Sequence, residues 1–120
     1  MFLKAVRAGD GEVIAEKVDI ADSFLKRFQG LMFRADLPEK EGLLLVPCNQ
    51  IHMMFMRFPI DAVFLDTSNQ VVNLYHDLSP WWGLSGWHRQ AEKVLELRSG
   101  TLVKKNVKTG DRLNFDPLTI

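Results

Sequence analysis

The sequence predicts an α+β domain with a mostly antiparallel, barrel-like β-sheet and one main α-helix. Apolar residues recur with strand-like spacing in about seven short segments, and turn-forming sequences join them. Only one segment has clear helical spacing. Because strands do not alternate regularly with helices, parallel β-α-β units are not expected. Closing the sheet into a barrel would also remove its exposed edges.

The composition indicates one ordinary globular domain that spans residues 1–120. Hydrophobic residues make up 47% of the chain and charged residues 25%. Fifteen basic side chains balance fifteen acidic ones, which argues against a dedicated nucleic-acid binder. The single cysteine, Cys48, excludes an intrachain disulfide. No signal peptide or membrane span is evident, so we expect a cytoplasmic location.

The N-terminal part predicts a hairpin followed by the main helix. Residues 2–7 and 12–18 are expected to pair around the Gly9-Asp10-Gly11 turn. Residues 19–31 are expected to form the helix, with Asp19 or Asp22 as N-cap and Gly30 at the end. Its apolar residues recur at helical spacing and predict one buried face. That face comprises Phe24, Leu25, Phe28, Leu31 and Met32.

Residues 49–66 form the stretch around which the predicted fold is organised. They are densely apolar, and Pro59 interrupts them, so one regular helix is excluded. We predict two strands here, at about 51–57 and 60–66. A buried strand at 43–46, stopped by Pro47, precedes them.

The remaining chain predicts three strands, at 71–76, 93–98 and 112–115, and a short helical turn within 101–107. In the second of these strands Glu96 lies between two leucines, so alternation predicts that it faces solvent. Residues 77–90 are expected to form a long loop rich in Pro, Gly and Ser that carries three tryptophans.

An ordered set of short motifs resembles a known family. The motifs are Gly30-Leu31-Met32-Phe33-Arg34, the Gly-Leu-Leu-Leu strand at 42–45, His52-Met53 with Pro59-Ile60-Asp61, Phe64-Leu65-Asp66, Val94 to Leu97 with Ser99-Gly100, and Gly110-Asp111. Together they resemble the bacterial and archaeal domain-of-unknown-function family 192 over about residues 18–115. The resemblance implies a small α+β barrel-like domain without an established activity.

The chain departs from that family pattern at one point. Many members carry Trp-Met-Lys-Asn-Thr where this sequence has His52-Met53-Met54-Phe55-Met56. The polar part of the motif is therefore replaced, and no function of those polar residues is carried over to this chain.

Three single residues are candidates for chemistry. Asp61 lies in an apolar stretch, so it is either an acid or base with a raised pKa or a structural carboxylate satisfied by backbone N–H groups or an arginine. We favour the structural interpretation. Arg34 either pairs with an acidic residue or binds an anionic ligand. His52 is either a packing residue or a ligand-binding residue or base.

The tryptophan loop offers either a binding surface or a lid. Trp81, Trp82 and Trp87 could stack on a ligand or anchor a partner, and binding residues concentrate on such loops. The histidines lack zinc-motif spacing, so we predict no metal site and no cofactor. Cys48 and His52 would lie about 13 Å apart on an extended chain, too far for a nucleophilic pair.

The leading hypothesis is a non-catalytic ligand-binding or accessory module, with a pocket at one end of the barrel for an unknown small ligand. Arg34, His52, Asp61, Trp81 and Trp82 would line it. One alternative is a hydrolase or isomerase with Asp61 and His52 as catalytic acid and base. Another is a protein-interaction module or homodimer that uses a Met/Phe-rich surface. We expect a monomer or homodimer.

Overall fold

The computed structural model describes residues 2–118 as a seven-stranded sheet with two short helices. The elements are β1 (Phe2–Arg7), β2 (Val13–Ala21), α1 (Phe24–Gln29), β3 (Glu41–Leu45), β4 (Ile60–Leu65), β5 (Val71–Leu78), β6 (Lys93–Arg98), α2 (Thr101–Lys104) and β7 (Leu113–Pro117). Neither of the helices in this part of the chain has the length and apolarity needed to cross a membrane.

The strands form one mixed, curled sheet in the order β5-β4-β6-β3-β2-β1-β7. Five of the six strand pairs are antiparallel, and β2 with β3 is the parallel pair. The two end strands approach each other at one end, where Gln70 bridges Arg112 and the Val71 N–H donates to the Asp111 carbonyl at 2.7 Å. The α+β prediction therefore holds, and the sheet is mostly antiparallel as expected, but it is a mixed, curled half-barrel rather than a full barrel. The expectation of no parallel β-α-β unit is wrong, because β2, α1 and β3 form one.

Two apolar cores lie on the two faces of this sheet. All seven strands contribute to the first core, which lies on the concave side and includes Val18, Val63 and Leu97. The second core covers the other face of the central strands. It contains Leu43, Ala62 and Val94 from those strands, together with Leu31, Leu37, Ile51, Met53 and Met56 from the connecting segments. All six residues of β4 are buried, as expected for a strand covered on both sides.

The predicted N-terminal hairpin is confirmed, but the predicted helix is much shorter than expected. β2 continues to Ala21 because its last residues pair with β3, and this takes residues 19–21 out of the helix. Helix α1 begins only at Phe24, where the Ser23 hydroxyl accepts the Lys26 N–H at 3.2 Å, and it ends at Gly30 with a φ of 48°.

The predicted buried face of that helix is wrong. Phe24, Leu25 and Phe28 are exposed, Leu25 by 76%. Leu31 and Met32 are buried, but they lie beyond the helix, in the turn that follows it. A six-residue helix is too short to present a continuous apolar stripe to the sheet.

The predicted strand at 51–57 is also wrong. These residues form turns, in which Met56 donates its N–H to the Met53 carbonyl at 3.1 Å, and a single bridge joins His52 to Leu84. Their backbone groups bond to the 79–92 loop, with Met53 donating to Gly83 at 2.9 Å. The other expected strands are confirmed, with small shifts at their ends.

Candidate functional site

The candidate site is a cavity of about 370 Å³ on the face of the sheet that the second core covers. Helix α1 forms one wall, and residues 47–56 form the opposite wall. Its mainly apolar lining includes Phe28, Leu31, Cys48, His52, Met56 and Glu96. The cavity thus lies over the sheet face rather than at the barrel end where the sequence hypothesis put it.

Glu96 is the ionisable group at the floor of this cavity. It is only 4% exposed, and its cross-strand neighbours, Leu43 and Ala62, are both apolar and buried. Among residues 2–118, no side chain or backbone group forms a hydrogen bond or ion pair with its carboxyl. Burial raises the pKa of Glu96 to about 8. The carboxyl is therefore mainly protonated at neutral pH.

The prediction that Glu96 faces solvent is wrong because β6 has no solvent-facing side. Val94 to Leu97 are buried in succession, with Val94 in the second core and Leu95 and Leu97 in the first. Alternation then decides only which core a side chain enters. A sequence signal was present, namely one acidic residue within an otherwise apolar run of strand residues.

Helix α1 gives the mouth of the cavity an aromatic wall. Phe24 and Phe28 stack with their ring centroids 6.3 Å apart and their planes at 16°. Arg27 also lines the cavity, and its Nη1 donates to the Val46 carbonyl at 3.3 Å. This bond ties the side chain of Arg27 in α1 to the backbone of the segment that follows β3.

His52, one of the predicted site residues, lies at the rim of the cavity. Its Nδ1 accepts the Met54 N–H at 3.2 Å, which places the proton of the neutral imidazole on Nε2. The ring is exposed, so Nε2 can reach a molecule that enters the cavity.

Cys48 lines the same cavity without the features of a nucleophile. Its Sγ donates to the Gln50 carbonyl at 3.3 Å, and burial raises the pKa of the thiol. A neutral, hydrogen-bonded thiol is a weak nucleophile, so this geometry provides no activated Cys48–His52 pair.

Asp61 is separated from the cavity by the sheet itself. It pairs with Leu97 in the register, so its side chain leaves the face opposite to that of Glu96. It is 1% exposed, and its carboxylate accepts the N–H groups of Asp77 at 2.9 Å and of Gly100 and Leu102 at 3.0 Å. These bonds tie the end of β5 to the start of α2.

Arg34, Trp81 and Trp82 lie outside the cavity, on the molecular surface. Trp81 packs edge-on against Phe55 at 5.2 Å between ring centroids, and Phe55 contacts Phe33 at 5.3 Å. We call Phe33, Phe55 and Trp81 the aromatic row. Trp82, beside it in the sequence, is 90% exposed. The structure therefore brings only His52 of the five predicted residues into the cavity.

The backbone of the aromatic row is strained. Phe33, Phe55 and Trp81 have φ values of 66°, 62° and 70°, in the left-handed region that bulky residues rarely adopt. Hydrogen bonds hold two of these positions, since Phe33 donates to the Phe55 carbonyl at 3.0 Å and Trp81 donates to the Met53 carbonyl at 2.8 Å. Such strain persists only where surrounding contacts fix it.

Sequence and structure comparisons place this architecture among known proteins. The sequence profile of domain-of-unknown-function family 192, described as "Uncharacterized ACR", matches residues 5–115. UPF0127 protein PF1050 of Pyrococcus furiosus is 35% identical over 111 residues, which are 88% of this chain and 92% of that protein.

Two solved structures share the fold. A protein of unknown function from Novosphingobium aromaticivorans has a TM-score of 0.82 and 21% identity, and the match covers 95% of this chain and 84% of that one. A protein from Sinorhizobium meliloti described as "a putative transcription regulator" has a TM-score of 0.83 and 24% identity, over 95% and 92% of the two chains. At these identities the likeness extends to the fold alone. The profile match and the archaeal relative together show that this chain belongs to domain-of-unknown-function family 192.

Proposed function

We propose that this protein is a non-catalytic ligand-binding module whose site is the cavity above Glu96. One observation carries the proposal, namely a buried carboxyl that faces open space and lacks a hydrogen-bond partner in residues 2–118. Buried polar groups in folded proteins nearly always have a partner. The carboxyl oxygens face the open cavity, so a molecule that enters it, water or a ligand, supplies the partner, and we propose a ligand.

The size and lining of the cavity support this proposal. A volume of about 370 Å³ lies within the range of small-molecule sites, which are mostly apolar with a few polar groups that orient the ligand. Glu96 at the floor and His52 at the rim would contact the two ends of one molecule. Leu31, Ile51 and Met56 would cover its apolar part.

The geometry favours binding over acid–base catalysis. A hydrolase or isomerase that uses Asp61 and His52 needs both side chains at one substrate. Asp61 leaves the opposite sheet face and already accepts three backbone N–H groups. The neutral thiol of Cys48 adds no nucleophile to the cavity.

A fragment screen followed by protein-observed NMR tests the proposal. We expect fragments that shift the amide signals of Ile51, His52 and Leu97, and we expect Glu96→Gln to weaken their binding at least tenfold. Glu16→Gln is the matched control, because Glu16 is an exposed residue whose ion pair with Lys40 lies on the surface.

A second variant keeps this test decisive if Glu96→Gln alters the fold. Cys48→Phe narrows the cavity from a half-buried wall position and should exclude the same fragments. Fragments that bind both cavity variants as well as the unmodified protein, or a screen without cavity hits, would overturn the proposal.

The aromatic row supports a second candidate function, self-association through an apolar surface. It is exposed, and Trp82 and Leu84, which follow Trp81 closely in the sequence, are also exposed. Solvent-exposed apolar patches often mark interaction sites. Sedimentation should then show a concentration-dependent dimer that Trp81→Ala weakens and Trp87→Ala leaves unchanged. A monomer at all concentrations would remove this candidate.

A further inference from the structure

We propose that the ligand of this cavity carries a protonated amine that Glu96 receives, on an apolar, aromatic body. This inference rests on the proposed function and names its ligand class. It starts from the charges that surround Glu96, because the carboxyl lies at the floor of the cavity without a cation within ion-pair distance in residues 2–118.

In the part of the chain that the structure describes, no element packed around Glu96 supplies a cation that pairs with the ionised form of its carboxyl. β3 and β4 contribute the apolar neighbours Leu43 and Ala62. Helix α1 contributes Arg27, whose guanidinium is bonded to the Val46 carbonyl. The 47–56 segment contributes Cys48, which donates to Gln50, and His52, whose Nδ1 accepts the Met54 N–H.

An amine complements this site better than a neutral or anionic group. An ammonium forms charge-assisted hydrogen bonds to a carboxylate, roughly twice as strong as neutral ones, and low polarity strengthens them further. A hydroxyl would gain only an ordinary bond, and an anion would meet the carboxyl without a counter-charge. Phe24 and Phe28 at the mouth offer ring surfaces to an aromatic body.

The binding step exchanges one proton for one cation. The carboxyl of the free protein is mainly protonated at neutral pH, so an incoming ammonium displaces that proton to solvent and pairs with the carboxylate. Because the pKa of free Glu96 is about 8, the ionised fraction grows about tenfold per pH unit below that value. Affinity for an amine should rise in the same way and then level off.

Three probes of one shape test the inference, namely phenethylamine, phenethyl alcohol and phenylacetate. We expect NMR titration of the full chain to give the tightest Kd for the amine, with a roughly tenfold gain between pH 6 and pH 7. Glu96→Gln should abolish both the preference and the pH dependence. His52→Gln should leave the pH dependence in place, because the titrating group is Glu96.

The outcomes separate this inference from the proposed function. The amine assignment is overturned if the alcohol or phenylacetate binds as tightly as the amine or more tightly. It is also overturned if Glu96→Gln leaves the affinity for the amine unchanged. In either case, other ligands found in the cavity would still support a binding module. If no amine binds but other fragments bind in the cavity, the amine assignment is likewise overturned and the binding module is still supported. A pH dependence that disappears in His52→Gln assigns the titration to the imidazole and also overturns the inference.

Discussion

A glutamic acid that stays protonated in the folded state makes stability depend on pH in a definite direction. The folded pKa of Glu96 is about 8, against an ordinary value of 4.5. Its contribution is therefore fully present below about pH 4.5 and is lost as pH rises towards 8, because the unfolded chain releases the proton first.

We predict that the free energy of unfolding falls between pH 5 and pH 8 by up to about 1.4 kcal/mol per pH unit from this group. Glu96→Gln should remove that slope, since an amide does not titrate. Urea unfolding at several pH values measures the difference between the two proteins. Parallel pH profiles would contradict a raised pKa at this position.

Asp61 differs from Glu96, because its carboxyl oxygens accept hydrogen bonds from three backbone N–H groups. Asp61→Asn replaces one accepting oxygen by an NH₂ that faces N–H donors. We predict a loss of stability of about 2–4 kcal/mol, measured by urea unfolding. Asp36→Asn, at an exposed position, is the control and should change stability by less than about 0.5 kcal/mol.

These two acids mark what the sequence reveals at the residue scale. The apolar neighbours of Asp61 correctly indicated burial, since few acids occur in such a run. The same pattern around Glu96 predicts a solvent-facing side chain only if one face of the strand is exposed to solvent. Only tertiary structure shows that β6 is covered on both faces, so the principal cavity residue could not be assigned from its strand alone.

At the scale of elements, the 79–92 loop and the 51–56 turns hold each other in place. Gly83 lies at their junction, where an added Cβ would approach the Ser79 carbonyl oxygen to 2.6 Å and the Met53 Cγ to 2.7 Å. The same residue accepts the Met53 N–H. A side chain at this position must displace backbone as well as core atoms.

We predict that Gly83→Ala lowers the free energy of unfolding by about 1–3 kcal/mol through overpacking. Gly9→Ala is the matched control, because its Cβ would meet no atom within 4 Å. Thermal unfolding of both variants checks the prediction. Equal Tm values for the two would show that this junction relaxes without cost.

Helix α1 provides a second test at this scale. Its exposed Leu25 makes no contribution to a core, whereas Leu31, just beyond the helix, is 1% exposed within the second core. We predict that Leu25→Gln changes stability by less than about 0.5 kcal/mol. Leu31→Ala should cost about 2–5 kcal/mol. Chemical unfolding of both variants measures the contrast. A large loss of stability in Leu25→Gln would instead support a helix whose apolar face is buried.

The element errors have one physical cause. Asp10-Gly11 specifies its hairpin locally, so the sequence predicts it well. The 51–57 segment has no such local signal, because a dense apolar run suits a strand and a packed turn equally. Its outcome depends on hydrogen bonds to Gly83 and Ser85, which lie 30 and 34 residues from their partners Met53 and Ile51.

For the whole molecule, the sequence predicts the fold class and family more reliably than the shape of the sheet. Eight segments have strand-like spacing, and seven of them are strands, because the segment at 51–57 forms turns instead. The parallel pairing of β2 with β3 depends on how the chain passes through α1 and the turns after it. No local pattern encodes that pairing, so the one parallel pair within a mostly antiparallel sheet could not be predicted.

The burial of the central strands on both faces also determines which amides exchange with solvent deuterium last. Every residue of β4 is buried, and both its neighbours, β5 and β6, bond to it. Its amides should therefore exchange only when the whole domain opens, and their rates report global stability. A molecule bound above Glu96 stabilises that domain, so it would slow exchange in β4 even though no β4 residue lines the cavity.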